Sequence, residues 1–220
     1  MKVRAIITGS TGMVGEGVLH ECLMHPDVEH VLVINRKPCG ITHPKLHEII
    51  HENFFDLSLV KEYLINYNAC FFCLGMTSIG MKEPEYRHLT YDLTMHVAET
   101  LCEQNQGMVF TYVSGAGTDS TEKGRSMWAR VKGKTENDLM KLPFKKAYMF
   151  RPGYIQPTKG LKNTQKAYKY ISWMYPVLQF LFPKFACTMK EIGLAMIHTV
   201  TVGYEKQILE VKDIVEIANI

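Results

Sequence analysis

The feature that most constrains this fold is a glycine repeat near the start of the chain. Gly9, Gly12 and Gly15 stand between an apolar, β-branched run at residues 3–8 and a stretch of helical periodicity. Glycine permits a tight strand-to-helix turn, and the N–H groups at the start of the helix can hold a pyrophosphate. The pattern predicts a nucleotide-cofactor loop, although a tight turn without a ligand would need the same glycines. The expected contacts are Gly9, Ser10, Thr11, Gly12, Met13, Val14 and Gly15.

Apolar runs and helical stretches alternate along the first two thirds of the chain. Strands that alternate with helices in this way predict βαβ units and a parallel sheet. The predicted fold class is therefore α/β, a doubly wound parallel sheet (Rossmann-like) with a small C-terminal cap region, in a single domain over residues 1–220. The aromatic segment 154–200, which three prolines interrupt, is the expected cap over a substrate or an interface.

The end of the second predicted strand indicates which dinucleotide is preferred. NAD-selective sites usually carry an acid there, which binds the ribose 2′-OH. This chain has Asn35, Arg36 and Lys37 instead. Because arginine pairs well with a phosphate, these residues favour NADP(H) over NAD(H), with a solvated basic turn as the alternative.

Two further positions are expected along the cofactor. Asp56, followed by Leu57, ends an apolar stretch and could contact the adenine amino group, or could equally cap the next helix. Leu74, Gly75 and Met76 follow the fourth predicted strand, where glycine would allow a close approach of the cofactor.

With these residues in view, the chain resembles the short-chain dehydrogenase/reductase superfamily over nearly its whole length. Its "TGSTGMVG" is similar to the glycine pattern of the extended and atypical branches, within which it most resembles NmrA-like and Tat-interacting oxidoreductase-like proteins. Its "RPGYIQP" resembles a segment of those proteins, so Arg151 and Pro152 are expected near the cofactor.

The resemblance implies a catalytic Ser, Tyr and Lys, with Tyr and Lys four residues apart on one helix. Ser114 and Lys132 occupy the Ser and Lys positions, whereas Trp128 occupies the Tyr position. Indole cannot act as an acid and base. Trp128 would then be a packing residue or a hydrogen-bond donor, and Ser114 a substrate contact or a strand-end cap. Tyr154 is the preferred substitute for the missing hydroxyl, ahead of Tyr112, Tyr86 or a water molecule.

Composition narrows the remaining possibilities. A net charge of +3 argues against a nucleic-acid binder. The chain has six cysteines, two of them in the apolar run "ACFFCLG", and they are interpreted as free thiols of a reducing compartment. No leader is expected at "MKVRAIITG". A cytoplasmic location is therefore predicted. No apolar run is long enough to span a membrane, and the spacing of His43, His47 and His51 does not favour a metal site.

Two classes of function remain open. The chain is either an oxidoreductase that acts on a small carbonyl or hydroxyl substrate, with a related nucleotide-sugar-type epimerase or dehydratase as a variant, or a regulatory protein that reports the state of NADPH to a protein partner. Trp128 favours the regulator more than a tyrosine would. The lysines and aromatics of residues 166–180 suit a packed cap helix, a lid, an oligomer surface or contact with a membrane surface.

Overall fold

The computed structural model describes residues 1–163, 175 and 185–220, and its core is a seven-stranded parallel sheet in the order β3-β2-β1-β4-β5-β6-β9. A separate pair, β7 and β8, is also parallel. The order changes direction beside β1, so a crevice opens at the carboxyl ends of β1 and β4. The strands are β1 (Val3–Thr8), β2 (Val28–Asn35), β3 (Leu46–Ile50), β4 (Ala69–Phe72), β5 (Val109–Val113), β6 (Lys146–Arg151), β7 (Tyr154–Gln156), β8 (Ala186–Thr188) and β9 (Ile208–Glu210).

Helices cover both faces of the sheet, which confirms the predicted α/β fold. On one face α1, α5 and α6 bury Leu19, Ile192 and Ile214 against the strands. On the other face α3 and α4 bury Val97 and Leu139. Within the described ranges, no helix has both the length and the apolar character that crossing a membrane requires. The helices are α1 (Met13–Met24), α2 (Glu83–Arg87), α3 (Leu93–Gln104), α4 (Met127–Leu139), α5 (Met189–Thr201) and α6 (Val211–Ala218).

Two helical predictions differ from the structure in detail. The helix expected over residues 57–64 is a 3₁₀ helix, Ser58–Leu64, which buries Val60 and Leu64. The long helix expected over residues 89–104 begins with a π-helical turn, His88–Asp92, in which the Leu93 N–H reaches back to the His88 carbonyl. Apolar spacing alone does not distinguish these helix types, because a few buried positions fit each of them.

The predicted cap segment, residues 154–200, divides into parts with different surroundings. Its first residues form β7, which pairs with β8. Its last residues form α5, which packs against α1 and begins at a capping box formed by Thr188 and Glu191. Residues 164–174 and 176–184, which carry most of the predicted aromatic surface, lie outside the described residues.

A buried acid joins α4 to the ends of β5 and β6. The Glu136 side chain is fully buried, and its carboxylate accepts hydrogen bonds from Arg151 Nε at 3.0 Å and from Arg151 Nη2. The Ser114 hydroxyl donates to the same carboxylate at 2.5 Å. Two carbonyls complete the join, since Phe150 O accepts from the Ser114 N–H at 2.9 Å and Pro152 O from the Ala116 N–H at 2.8 Å.

We expect Glu136→Gln to lower the free energy of unfolding by about 2–3 kcal/mol, because it leaves the Arg151 guanidinium in the interior without its anion. Glu210→Gln is the matched control, since Glu210 lies 3.4 Å from the same guanidinium but is half exposed. The control should cost less than about 1 kcal/mol. Urea denaturation of both variants measures the difference, and equal losses would contradict the assignment.

Candidate active site at the carboxyl edge of the sheet

The glycine loop is packed so closely that side chains would not fit in it. Gly9 has a φ of +71°, and a Cβ there would lie 2.8 Å from the carbonyl oxygen of Cys73, just past β4. A Cβ on Gly15 would lie 2.2 Å from the Gly9 carbonyl oxygen. The Gly12 N–H closes the turn by donating to the same oxygen at 2.9 Å. This close packing brings the start of α1 against the ends of β1 and β4, and it fits the predicted cofactor loop.

The start of α1 leaves backbone donors for an anion. Gly12 is the residue that precedes the helix, and it provides no side-chain cap. The first N–H groups of a helix have no partner within it, and they attract negative charge. The side chains of Met13 and Val14, in the first turn of α1, are partly buried against the core, so the backbone N–H groups are the expected contacts of these two residues.

A series of side-chain hydrogen bonds fixes the position of the glycine loop. The Ser10 hydroxyl donates to Asn35 Oδ1 at 2.9 Å, and both side chains are almost fully buried. Asn35 Nδ2 then donates to Glu48 Oε1 at 2.8 Å, and the Cys39 N–H donates to the same oxygen at 2.8 Å. The side chains of Ser10 and Asn35, which the sequence assigns to the cofactor, therefore hold the loop to β2 and β3.

A basic groove of about 790 Å³ runs beside this loop. It contains three of the predicted positions, Thr11, Arg36 and Lys37, and one acid, Glu52. Lys162, which sequence reasoning does not select, also faces it. The residues that line the basic groove are Thr11, Arg36, Lys37, Pro38, Cys39, Glu52, Lys162 and Asn163.

An aromatic cavity of about 200 Å³ adjoins the groove, because Arg36 and Glu52 line both spaces. The predicted residues Leu74, Gly75, Met76 and Lys132 lie in its wall, as does the alternative Tyr112, whereas Phe54, Phe55 and Phe72 were not predicted as site residues. Phe55 stacks on His88, with 4.4 Å between ring centroids, and so joins the loop after β3 to the turn before α3. The aromatic cavity is lined by Arg36, Glu52, Asn53, Phe54, Phe55, Phe72, Leu74, Gly75, Met76, Leu89, Thr90, Leu93, Thr94, Tyr112 and Lys132.

Asp56 and Leu57 line neither the basic groove nor the aromatic cavity. The Asp56 carboxylate accepts a hydrogen bond from the Ser58 N–H at 3.0 Å, at the start of the 3₁₀ helix. Hydrogen bonds from Ser58 lower the pKa of Asp56. Leu57 is buried in the core. This geometry favours the helix-capping alternative for Asp56 over a contact with adenine.

Lys132 is a buried cation in the wall of the aromatic cavity, which Arg36 also lines. Its ammonium donates to the carbonyl oxygen of Ser114 and, at 3.4 Å, to that of Val113. Burial lowers the pKa of Lys132 to about 8, although the charge of Glu136, one helical turn away, acts to raise it. The group is therefore mostly charged at neutral pH and loses its proton just above it.

The other predicted catalytic residues have different surroundings. The Ser114 hydroxyl is held by Glu136, so a contact with a substrate would have to compete with that hydrogen bond. The Arg151 guanidinium donates to the Glu136 carboxylate. It also donates to Ser120 Oγ at 2.5 Å, in the loop after β5. Pro152 supports the same loop through its carbonyl.

Trp128 and Tyr154 line neither the basic groove nor the aromatic cavity. The Trp128 ring, in the first turn of α4, lies beside Gly117, where a Cβ would be 3.6 Å from Cη2. Tyr154 donates from its hydroxyl to Gln156 Oε1 at 2.9 Å, and its ring centroid is 6.3 Å from that of Tyr175.

The other two tyrosines considered as substitutes for the missing hydroxyl, Tyr112 and Tyr86, are deeply buried. Tyr112 lines the aromatic cavity, and Tyr86 is equally inaccessible to solvent. Burial raises the pKa of both hydroxyls above the usual value, far above it for Tyr112, which makes them poor acids.

The thiols of "ACFFCLG" lie on or just after β4. Burial raises the pKa of Cys70 well above its ordinary value and that of Cys73 to about 12. Such thiols are unreactive. Among the residues that the structure describes, no group of three or more His, Cys, Asp or Glu side chains is arranged to hold a metal ion.

Comparison with known sequences returns distant relatives only. No protein-family model matches the chain. It is 27% identical over 155 residues to the mitochondrial protein fmp52-1 of Aspergillus oryzae, covering 68% of this chain and 64% of the relative. It is 22% identical over 200 residues to the mitochondrial protein FMP52 of Debaryomyces hansenii, covering 88% and 86%. The predicted cytoplasmic location is wrong on this finding, since these relatives are named mitochondrial proteins.

Solved structures share the fold at low sequence identity. MoeE5 in complex with UDP-glucose and NAD matches with a TM-score of 0.67 and 16% identity, over 98% of this chain and 80% of that one. A short chain dehydrogenase family protein from Francisella tularensis matches with a TM-score of 0.67 and 13% identity, over 96% of both chains. WbmG of Bordetella bronchiseptica, solved with NAD, matches with a TM-score of 0.67 and 12% identity, over 99% and 77%. These likenesses show a shared fold and confirm the predicted α/β class.

Proposed function

We propose that this chain binds NADP(H) in preference to NAD(H) and is an oxidoreductase for a small carbonyl or hydroxyl substrate. The observation that carries the proposal is the continuity of the site. A glycine loop that excludes side chains leads into the basic groove, and the groove adjoins the aromatic cavity that contains Lys132. Two solved structures of the same fold contain NAD, which supports a dinucleotide cofactor here.

Each part of the site would contact a different part of the cofactor. The N–H groups at the start of α1 would hold the diphosphate, and Arg36 and Lys37 the ribose 2′-phosphate. Leu74, Gly75 and Met76 would lie along the cofactor, and Lys132 would contact the ribose nearest the nicotinamide, as the resemblance implies. The bound nicotinamide would supply or accept hydride. The names of the relatives support a mitochondrial location for this activity.

A regulatory function is the second candidate, and the observation that favours it is Trp128 in place of the usual tyrosine. Tyr112 and Tyr86 are buried phenols whose raised pKa values make them poor replacements. Tyr154 is then the proposed proton donor if catalysis occurs. A protein that binds the cofactor without turnover would instead signal its redox state to a partner.

We expect Arg36→Ala to raise the Kd for NADPH about tenfold or more and to leave the Kd for NADH within about twofold, because only NADPH carries the 2′-phosphate that Arg36 would pair with. Lys212→Ala is the control for loss of a positive charge, since Lys212 is exposed on α6 and lies outside the groove. Fluorescence titration gives both constants. Equal affinity of the unmodified protein for the two cofactors would defeat the NADP(H) assignment.

We expect the Lys132 ammonium to titrate at about pH 8, because burial lowers the pKa of this group. The ammonium is charged below that pH and neutral above it. Between about pH 8 and the ordinary lysine range the unfolded chain binds the extra proton, so this group makes the folded state more stable as the pH rises. NMR titration of the lysine ¹³Cε signals measures the midpoint, and Lys132→Arg assigns it. A midpoint above pH 10 would contradict the burial of the charge.

A panel of carbonyl substrates with NADPH separates the two candidate functions. If the chain is an oxidoreductase with Tyr154 as proton donor, Trp128→Phe retains turnover whereas Tyr154→Phe loses about a hundredfold. Nucleotide sugars belong in the panel, because UDP-glucose is bound in one structure of the same fold. Tight NADPH binding without turnover of any substrate would favour the regulator.

A further inference from the structure

A buried acid in the first turn of α1 has no role in the site as described so far. Glu16 is only 5% exposed. Its carboxylate accepts hydrogen bonds from the backbone N–H of Lys162 at 2.8 Å and of Asn163 at 2.7 Å. These donors lie about 146 residues further along the chain. Glu16 therefore fastens the segment after β7 to the start of the helix that would hold the diphosphate.

The hydrogen bonds to the Glu16 carboxylate have an electrostatic explanation. A free carboxylate beside the glycine loop would repel a diphosphate, and a buried carboxylate needs hydrogen-bond donors. Two backbone N–H groups satisfy Glu16 without adding a positive charge that would compete for the phosphates. The same contacts hold Lys162 in the wall of the basic groove.

The groove thus contains three cations from two distant parts of the chain. Arg36 and Lys37 follow β2, whereas Lys162 is held by Glu16. Within the described residues none of these three side chains forms an ion pair, although Arg4, Arg130 and other cations do. Three unpaired cations around one groove, with Glu52 as its one lining acid, favour an anionic ligand that carries more than a single phosphate charge.

We propose that residues 160–163 form a clasp, anchored by Glu16, which makes Lys162 a determinant of specificity for the 2′-phosphorylated cofactor. This inference rests on the proposed NADP(H) site and adds to it a residue from the far side of the sequence. Arg36 supplies the planar, bidentate contact, and Lys162 adds a third charge to those of Arg36 and Lys37 while Glu16 holds the clasp in place.

The test measures Kd on the full chain for NADPH, NADH and the probe adenosine 2′,5′-bisphosphate by titration calorimetry. Lys162→Gln should weaken NADPH and the bisphosphate about tenfold and leave NADH within twofold. Lys159→Gln is the matched control, because Lys159 is an exposed lysine three residues earlier that does not line the groove. It should change none of the three constants.

Glu16→Gln tests the anchor, since a glutamine side chain cannot accept both N–H groups through two oxygens. It should weaken NADPH to about the same extent as Lys162→Gln. The double variant should be no weaker than either single one, because both substitutions remove the same contact. Circular dichroism establishes that Glu16→Gln is folded, and the surface variant Lys162→Gln tests the clasp whether or not it is.

The outcomes separate the clasp from the proposed function. If Lys162→Gln retains full NADPH affinity while Arg36→Ala loses it, the clasp is wrong and the NADP(H) site stands. If the two losses in the double variant add, Glu16 does not act through Lys162. If the unmodified chain binds neither cofactor, the proposed function itself fails.

Discussion

The whole site depends on the contact of one backbone turn with two others. The turn at Gly9 contacts the carbonyl group of Cys73, just after β4. Gly15, in the first turn of α1, contacts the carbonyl group of Gly9. Because these contacts leave no space for a Cβ, the helix starts as near to the sheet as backbone geometry permits. The basic groove and the aromatic cavity lie beside that start, since the loops that follow β2 and β3 line both of them.

Local sequence patterns are sufficient to predict this framework. Strand-forming runs, the glycine spacing and the basic turn at Arg36 are encoded over a few neighbouring residues, and the structure shows the predicted sheet with Arg36 in the groove. Glu16, Glu136 and Lys162 were not predicted, because their partners lie 15 to 147 residues away and only the folded chain brings them together. The sequence predicts that Ser10 and Asn35 contact the cofactor, but it could not reveal the hydrogen bond between their side chains.

The acidic and basic side chains near the site have different surroundings. The acids Glu16, Glu48 and Glu136 each accept hydrogen bonds from inside the fold. Backbone and buried side-chain donors hold these carboxylates, whereas Arg36, Lys37 and Lys162 form no ion pair among the described residues. An anionic ligand would therefore meet a groove whose lining has three cations and one acid, Glu52.

Trp128 has a consequence that does not depend on whether the chain catalyses a reaction. The indole stands four residues before Lys132 on α4, where the resemblance implies a tyrosine. The chain contains one other tryptophan, Trp173. Reduced nicotinamide absorbs light at the wavelengths that indole emits, so Trp128 would report the binding of the proposed cofactor. The residue that stands where the resemblance implies an acid would then supply an intrinsic probe.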